Sequence, residues 1–271
     1  MLKDITLGQY FPGNTVIHRL DPRTKLIAVL LYIVALFQAK GWVGYAAVLL
    51  ASLGCMALSR LKPKVIFKGL KPMIFIIALT ALLNIFYTDG TPIIPGWIIT
   101  WEGIARAVQM VLRIVLLICG TFLLTYTTSP IALTDGLELL MSPLKVIRVP
   151  VHEMTIMMSM ALRFIPTLIE ETDKIMSAQK ARGADFETGS LVSRAKALLP
   201  ILVPLFVSAF RRADELAIAM ESRCYHGGQG RTRMKQMKLH GRDLVSGLVT
   251  AAVFAGVLLL NRYVHLLPTI W

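Results

Sequence analysis

Five stretches of this chain are apolar over lengths that match a lipid bilayer. Positions 26–37 with their flanks, 42–58, 72–87, 104–126 and 244–260 each approach the roughly 17–25 residues an α-helix needs to cross the hydrocarbon layer. The first is the shortest. A chain of 271 residues that is 55% hydrophobic, with a mean hydropathy of +0.64, is too apolar for an ordinary soluble domain. The expected fold is therefore an all-α integral membrane protein with about five transmembrane helices. Positions 1–25 are polar and have no apolar core, so no cleavable signal peptide is expected.

The loops give the orientation. Arg19, Arg23 and Lys25 precede the first span, and Arg60, Lys62, Lys64, Lys68 and Lys71 separate the second from the third. Positions 88–102 contain acids but no lysine or arginine. The positive-inside rule then puts the N-terminus and the 60–71 loop in the cytoplasm and, after five crossings, the C-terminus outside. Three parts follow: 1–126 with four spans, 127–242 as a cytoplasmic coupling domain, and 243–271 with the last span. The net charge of +13 reads as an orientation signal plus attraction to anionic lipid. No basic, aromatic-interleaved module speaks for nucleic acid.

Positions 127–242 hold most of the acids but also apolar runs. Three helices are expected there. One spans 130–146, with Ser129 as N-cap and Pro130 at the first helical position. A long one spans 151–182, kinked near Pro166 and stopped by Gly183. Another long one spans 191–223, entered from the Gly189-Ser190 turn and ended before Gly227-Gly228. The apolar runs 154–162 and 197–210 are too short to span and suit helices lying along a membrane boundary or under a partner. Splayed, crossing long helices would leave both C-terminal tips exposed. The methionines at 154, 157, 158 and 160 read most simply as core filler, with an adaptable partner surface as the alternative.

Both long helices end on an arginine between small neighbours: Ala181-Arg182-Gly183 and Ser222-Arg223-Cys224. A shift of 41 positions lays Asp173 on Asp214, Ala178 on Ala219 and Arg182 on Arg223. Small flanks let a partner's backbone approach, and a guanidinium offers a planar fork of donors. The plainer reading is that each arginine complements the negative end of its own helix.

Catalytic chemistry finds no foothold. There is no G-x-x-x-x-G-K-[ST] loop, H-E-x-x-H or G-x-S-x-G elbow, and the five histidines have no metal-ligand spacing. Cys55, Cys119 and Cys224 stand apart, so neither a disulfide nor a metal site is expected. The acids at 170, 171 and 173 fit surface ion pairs, for example Glu170 with Lys174. Arg106 and Arg113 share a face of the fourth span. The deeper Arg113 needs a partner, and Asn84 and Gln109 are the polar candidates.

Several strings, taken together, resemble one family. They are His18-Arg19-Leu20-Asp21-Pro22-Arg23-Thr24-Lys25, Thr127-Thr128-Ser129-Pro130, Leu162-Arg163-Phe164-Ile165-Pro166, Ala178-Gln179-Lys180-Ala181-Arg182-Gly183 with Ala184-Asp185-Phe186, and Ala219-Met220-Glu221-Ser222-Arg223-Cys224-Tyr225. They resemble the transmembrane T component of energy-coupling factor (ECF) transporters, the CbiQ/EcfT family. The resemblance implies a prokaryotic plasma-membrane scaffold that joins two cytosolic ABC ATPases to an exchangeable substrate-binding S component for vitamin or micronutrient uptake. ATP would be bound by the partners, with no cofactor in this chain. It assigns ATPase docking to Ala181, Arg182, Gly183, Ser222, Arg223 and Cys224, the second motif departing from the usual alanine-arginine-glycine. The greasy runs would form the S-component platform, through Met154, Met157, Met158, Leu162, Leu202, Leu205 and Phe206. A T subunit dedicated to cobalt or nickel is the alternative within the family. An integral membrane enzyme would need a cluster of acids at the membrane face, and a self-sufficient permease would need polar residues in several spans.

Overall fold

Asp21 decides where the first helix begins. Its carboxylate accepts the Arg23 N–H at 2.9 Å, and Pro22 takes the first helical position, where no N–H is needed. In the computed structural model, residues 10–39, 41–92, 99–186, 190–227 and 237–264 are described. Gly189 and Gly228, invoked above at two helix boundaries, lie outside them. The helices are α1 (Pro22–Gln38), α2 (Gly41–Ser59), α3 (Pro63–Leu70), α4 (Ile74–Tyr87), α5 (Trp101–Thr127), α6 (Pro130–Met141), α7 (Val151–Ala181), α8 (Leu191–Glu221) and α9 (Gly241–Val264). Among the described residues there is no strand, and the fold is all-α. Residues 8–139 and 237–271 form one unit, and residues 1–7 and 140–236 a second.

The first unit contains the spans. Four helical stretches are long and apolar enough to cross a membrane: Gly41–Ser59, Pro63–Tyr87, Trp101–Thr127 and Gly241–Arg262. With 17 residues, α1 is not among them and sits at the lower limit for a crossing. The basic loop expected at 60–71 is mostly α3. Only a tight turn at Lys71–Met73 separates it from α4, because Pro72 has no N–H to continue the α-helical ladder. Pro143 likewise ends the helix expected over 130–146 at Met141, and a tight turn covers Ser142–Ile147. Ser129 caps α6 as expected, its hydroxyl accepting the Ala132 N–H at 3.3 Å.

In this unit α1 packs against α9, α5 and α2, and α5 also packs against α2 and α4. In lipid the driving force is close van der Waals contact. Gly120 permits it on α5, since a Cβ there would lie 2.4 Å from the Tyr32 ring. The Tyr32 hydroxyl then donates to the Leu116 carbonyl at 2.8 Å. Leu36, Ala39, Tyr45, Val48, Leu116 and Val257 form the buried cluster. Arg113 lies over the rings of Phe37, at 5.9 Å, and Tyr45, at 5.6 Å. Its partners are thus aromatic faces rather than Asn84, which donates to the Thr80 carbonyl of its own helix at 2.8 Å.

One end of this unit is fastened by buried polar groups. The Asp243 carboxylate accepts the Asp21 N–H at 2.7 Å and the His240 N–H at 2.8 Å, so α1 and α9 start side by side. At their far ends the Asn261 amide donates to the Gln38 carbonyl, which makes the two helices parallel. Lys25 is only 6% exposed and spends its ammonium on the carbonyls of Thr127 (2.9 Å) and His18 (3.3 Å) and the hydroxyl of Thr128 (3.2 Å). It therefore closes the C-terminal end of α5, where carbonyls lack helical partners. Counted above as an orientation charge, Lys25 is a buried clamp. These links also put Thr127 and Gly241 at the same end of the unit, so the chain leaves and re-enters it on one face.

Candidate functional site

The second unit is dominated by α7 and α8, each 31 residues long. They run antiparallel where they touch. Glu171 of α7 accepts from the Ser208 hydroxyl and, at 2.9 Å, from Arg212 of α8, while Gln179 donates to the Pro200 carbonyl at 3.5 Å. The Ser208 hydroxyl, and after it the Arg212 charge, hold the Glu171 carboxyl below its usual range. Prolines shape this contact. Pro204 has no N–H to offer the Pro200 carbonyl one turn earlier, and the Gln179 amide supplies a donor from the other helix. The antiparallel contact does not bury the tips, so a splayed arrangement is not needed to leave them exposed. Arg182 and Arg223 are both exposed.

Both tips are built by the same backbone device. At the end of α7 the Ala184 N–H donates to the Gln179 carbonyl at 3.0 Å and the Gly183 N–H to Lys180 at 3.0 Å. Gly183 takes the left-handed conformation, with φ +86°. That is the Schellman pattern, with Arg182 as C-cap residue. At the end of α8 the Tyr225 N–H reaches Met220 at 3.0 Å and the Cys224 N–H reaches Glu221 at 2.8 Å. Here Cys224 is left-handed, at φ 55°. The two motifs are thus the same turn, and the departure at Cys224 puts a side chain where glycine fits without strain. The helix end expected at 223, before the Gly227-Gly228 pair, is set by the left-handed Cys224. In both caps the main chain makes the closing bonds, which leaves the guanidinium groups free to point outward.

A direct test follows. Replacing Cys224 with glycine is expected to stabilise the α8 cap by about 1 kcal/mol, the usual cost of a left-handed residue with a Cβ. Gly183→Val should weaken the α7 cap by at least as much. Hydrogen exchange at the amides of 182–184 and 223–225 reads both changes, slower in the first variant and faster in the second.

The residues proposed from sequence as a platform show a divided pattern. Met154, Met157 and Met158 are exposed, as are Leu202 and Phe206, the last at 61%. Leu162 and Leu205 are half-buried. Core filler is therefore the wrong description of Met154, Met157 and Met158, which sit on the surface of this chain. Val203, Val207 and Phe210 extend the exposed apolar surface of α8. Sequence reasoning missed the Glu171–Arg212 bridge and assigned the acids to pairs within one helix.

Comparison with known proteins decides the family. A family model described as "Cobalt transport protein" (CbiQ) matches residues 13–235. The chain belongs to the CbiQ/EcfT family. A Clostridium kluyveri protein named energy-coupling factor transporter transmembrane protein EcfT is 53% identical over 266 residues, covering 97% of this chain and 98% of that protein. Its counterparts in Bacillus subtilis (48% identical, 97% and 100% covered) and Lactococcus lactis (45%, 96% and 98%) carry the same name. The CbiQ/EcfT match includes both arginine tips, and the named relatives are transmembrane proteins of transporters. With its membrane-length helices, this chain is likewise a multi-pass membrane protein.

Proposed function

We propose that this chain is the scaffold and energy transducer of an ECF-type importer. In this reading Arg182 and Arg223, with their neighbours Ala181, Gly183, Ser222 and Cys224, dock on two cytosolic ABC ATPases. The carrying observation is the matched pair of capped, exposed arginines at the ends of two helices that brace each other. Backbone-closed caps present each guanidinium without using it, which favours docking over helix capping. The chain itself binds no nucleotide or cofactor in this role; ATP is hydrolysed by the partners. Co-purification from mild detergent tests it: two ATPase domains should accompany the full-length chain and leave when both arginines are replaced.

The exposed methionine run of α7 and apolar face of α8 serve as the S-component platform, through Met154, Met157, Met158, Leu162, Leu202, Leu205 and Phe206. Flexible thioethers suit a surface that must repack against exchangeable partners. The S component selects the cargo, a vitamin or other micronutrient, and a cobalt-dedicated importer would use the same tips. A Met157→Glu, Leu202→Glu variant is expected to lose the S component in a pull-down while keeping the ATPases, since an unpaired charge in an apolar contact costs several kcal/mol. Retention of the S component would rule out this face.

The membrane arrangement supports the same reading. Because α5 ends and α9 begins at one end of their unit, the intervening segment can lie wholly in the cytoplasm, with the C-terminus outside. In a background without native cysteines, Lys64→Cys and Ser190→Cys should be shielded from impermeant thiol reagents in intact cells, and Asp89→Cys labelled. Labelling at 190 from outside would overturn the docking model.

A further inference from the structure

Outside the arginine tips, one cleft combines charge with grease. It has a volume of about 760 Å³ and is lined by Val16, Arg19, His240, Gly241, Arg242 and Val245. The Asp21–Asp243 contact brings its two walls together, the segment before α1 and the start of α9. Among the described residues neither Arg19 nor Arg242 is in an ion pair. The nearby carboxylates are engaged elsewhere. Asp243 accepts the N–H groups of Asp21 and His240, Asp21 accepts that of Arg23, and both acids are buried. Two guanidinium groups outside any ion pair therefore flank an open cleft.

Its position explains what they are for. Gly241 opens a membrane-length apolar helix, so the cleft lies where that helix enters the lipid. Val16 and Val245 form an exposed apolar floor, and Leu248 and Val249 continue it one turn down the same face of α9. A small inorganic anion has no use for that floor. An anionic lipid uses both parts.

We propose that this cleft binds an anionic glycerophospholipid, its phosphate held between Arg19 and Arg242 and an acyl chain laid along Val245, Leu248 and Val249. Arginine suits phosphate because its fork matches two oxygens at once. The site is independent of the ATPase-docking role.

Native mass spectrometry of the full-length chain, purified in mild detergent and titrated with phosphatidylglycerol or phosphatidylcholine of the same acyl chains, tests it. The wild type should retain phosphatidylglycerol at least about tenfold better, from two arginines at a membrane surface. Arg19→Gln with Arg242→Gln should abolish the preference, while the lysine pair keeps much of it. Millimolar inorganic phosphate should leave the lipid in place. Equal retention of the two lipids by the wild type overturns the proposal without any variant. So does an undiminished preference in the glutamine pair. Displacement by phosphate would assign the arginines to a free anion instead.

Discussion

A chain carrying both Arg182→Ala and Arg223→Ala is expected to reach the membrane in normal amount and to lose substrate uptake and coupled ATP hydrolysis. The caps explain the normal amount. Main-chain groups close both Schellman turns, so alanine leaves the helix ends intact. The loss of function comes from docking. A charge-assisted hydrogen-bonded arginine contributes on the order of 1.5–3 kcal/mol, or roughly one to two powers of ten in affinity. One alanine should weaken the ATPase complex and leave the other tip holding it. Two should do far more, because tethered contacts gain from effective concentration. Reversal to glutamate should exceed alanine if the receiving grooves are acidic. Were the arginines only helix-end charges, alanine would cost about 0.3–1 kcal/mol and assembly would survive. Near-normal transport by the double variant would sink the transducer reading.

The second large effect is expected far from the tips, at Lys25. Replacing it with methionine removes the donor to the Thr127 and His18 carbonyls and the Thr128 hydroxyl. It also removes the charge that Lys25 sets against the buried Asp21 and Asp243, leaving Asp21 its ion pair with Arg23 and, among the described residues, Asp243 without one. Taking one partner from a buried charged group of this kind typically costs about 3–5 kcal/mol. Lys25→Met should therefore accumulate poorly and melt at markedly lower temperature in detergent. Adding Asp243→Asn should recover part of the loss by restoring charge balance. A Lys25→Met chain with wild-type yield and melting temperature would show that the clamp is dispensable.

The arginine tips and Lys25 mark what the sequence discloses and what it hides. The spans were legible because bilayer thickness imposes a length, and α2, α5 and α9 follow it closely. Gly183 was legible as a helix stop because only glycine takes the left-handed position freely. Cys224 does the same job without that compositional flag, so the second stop, correctly expected at 223, had only the Gly227-Gly228 pair beyond it as its sign. Lys25 was misread because counting basic residues cannot separate a cation in water from one folded under a helix end. Met154, Met157 and Met158 looked like filler because a greasy helical run has the same pattern whether a core or a partner covers it. Arg113 was correctly read as needing company, but the rings of Phe37 and Tyr45 come from two other helices, and spacing along α5 says nothing of them.

The amide of Gln179 has a mechanical consequence. It sits three residues before Arg182 and grips the Pro200 carbonyl, which Pro204 has left without its own donor. A helix with two prolines four residues apart bends most easily there. The Arg182 end of α7 is thus linked to the part of α8 where those prolines lie, on the rod that carries Arg223. On the docking role proposed above, a displacement of Arg182 should therefore also change the angle at which Arg223 is offered.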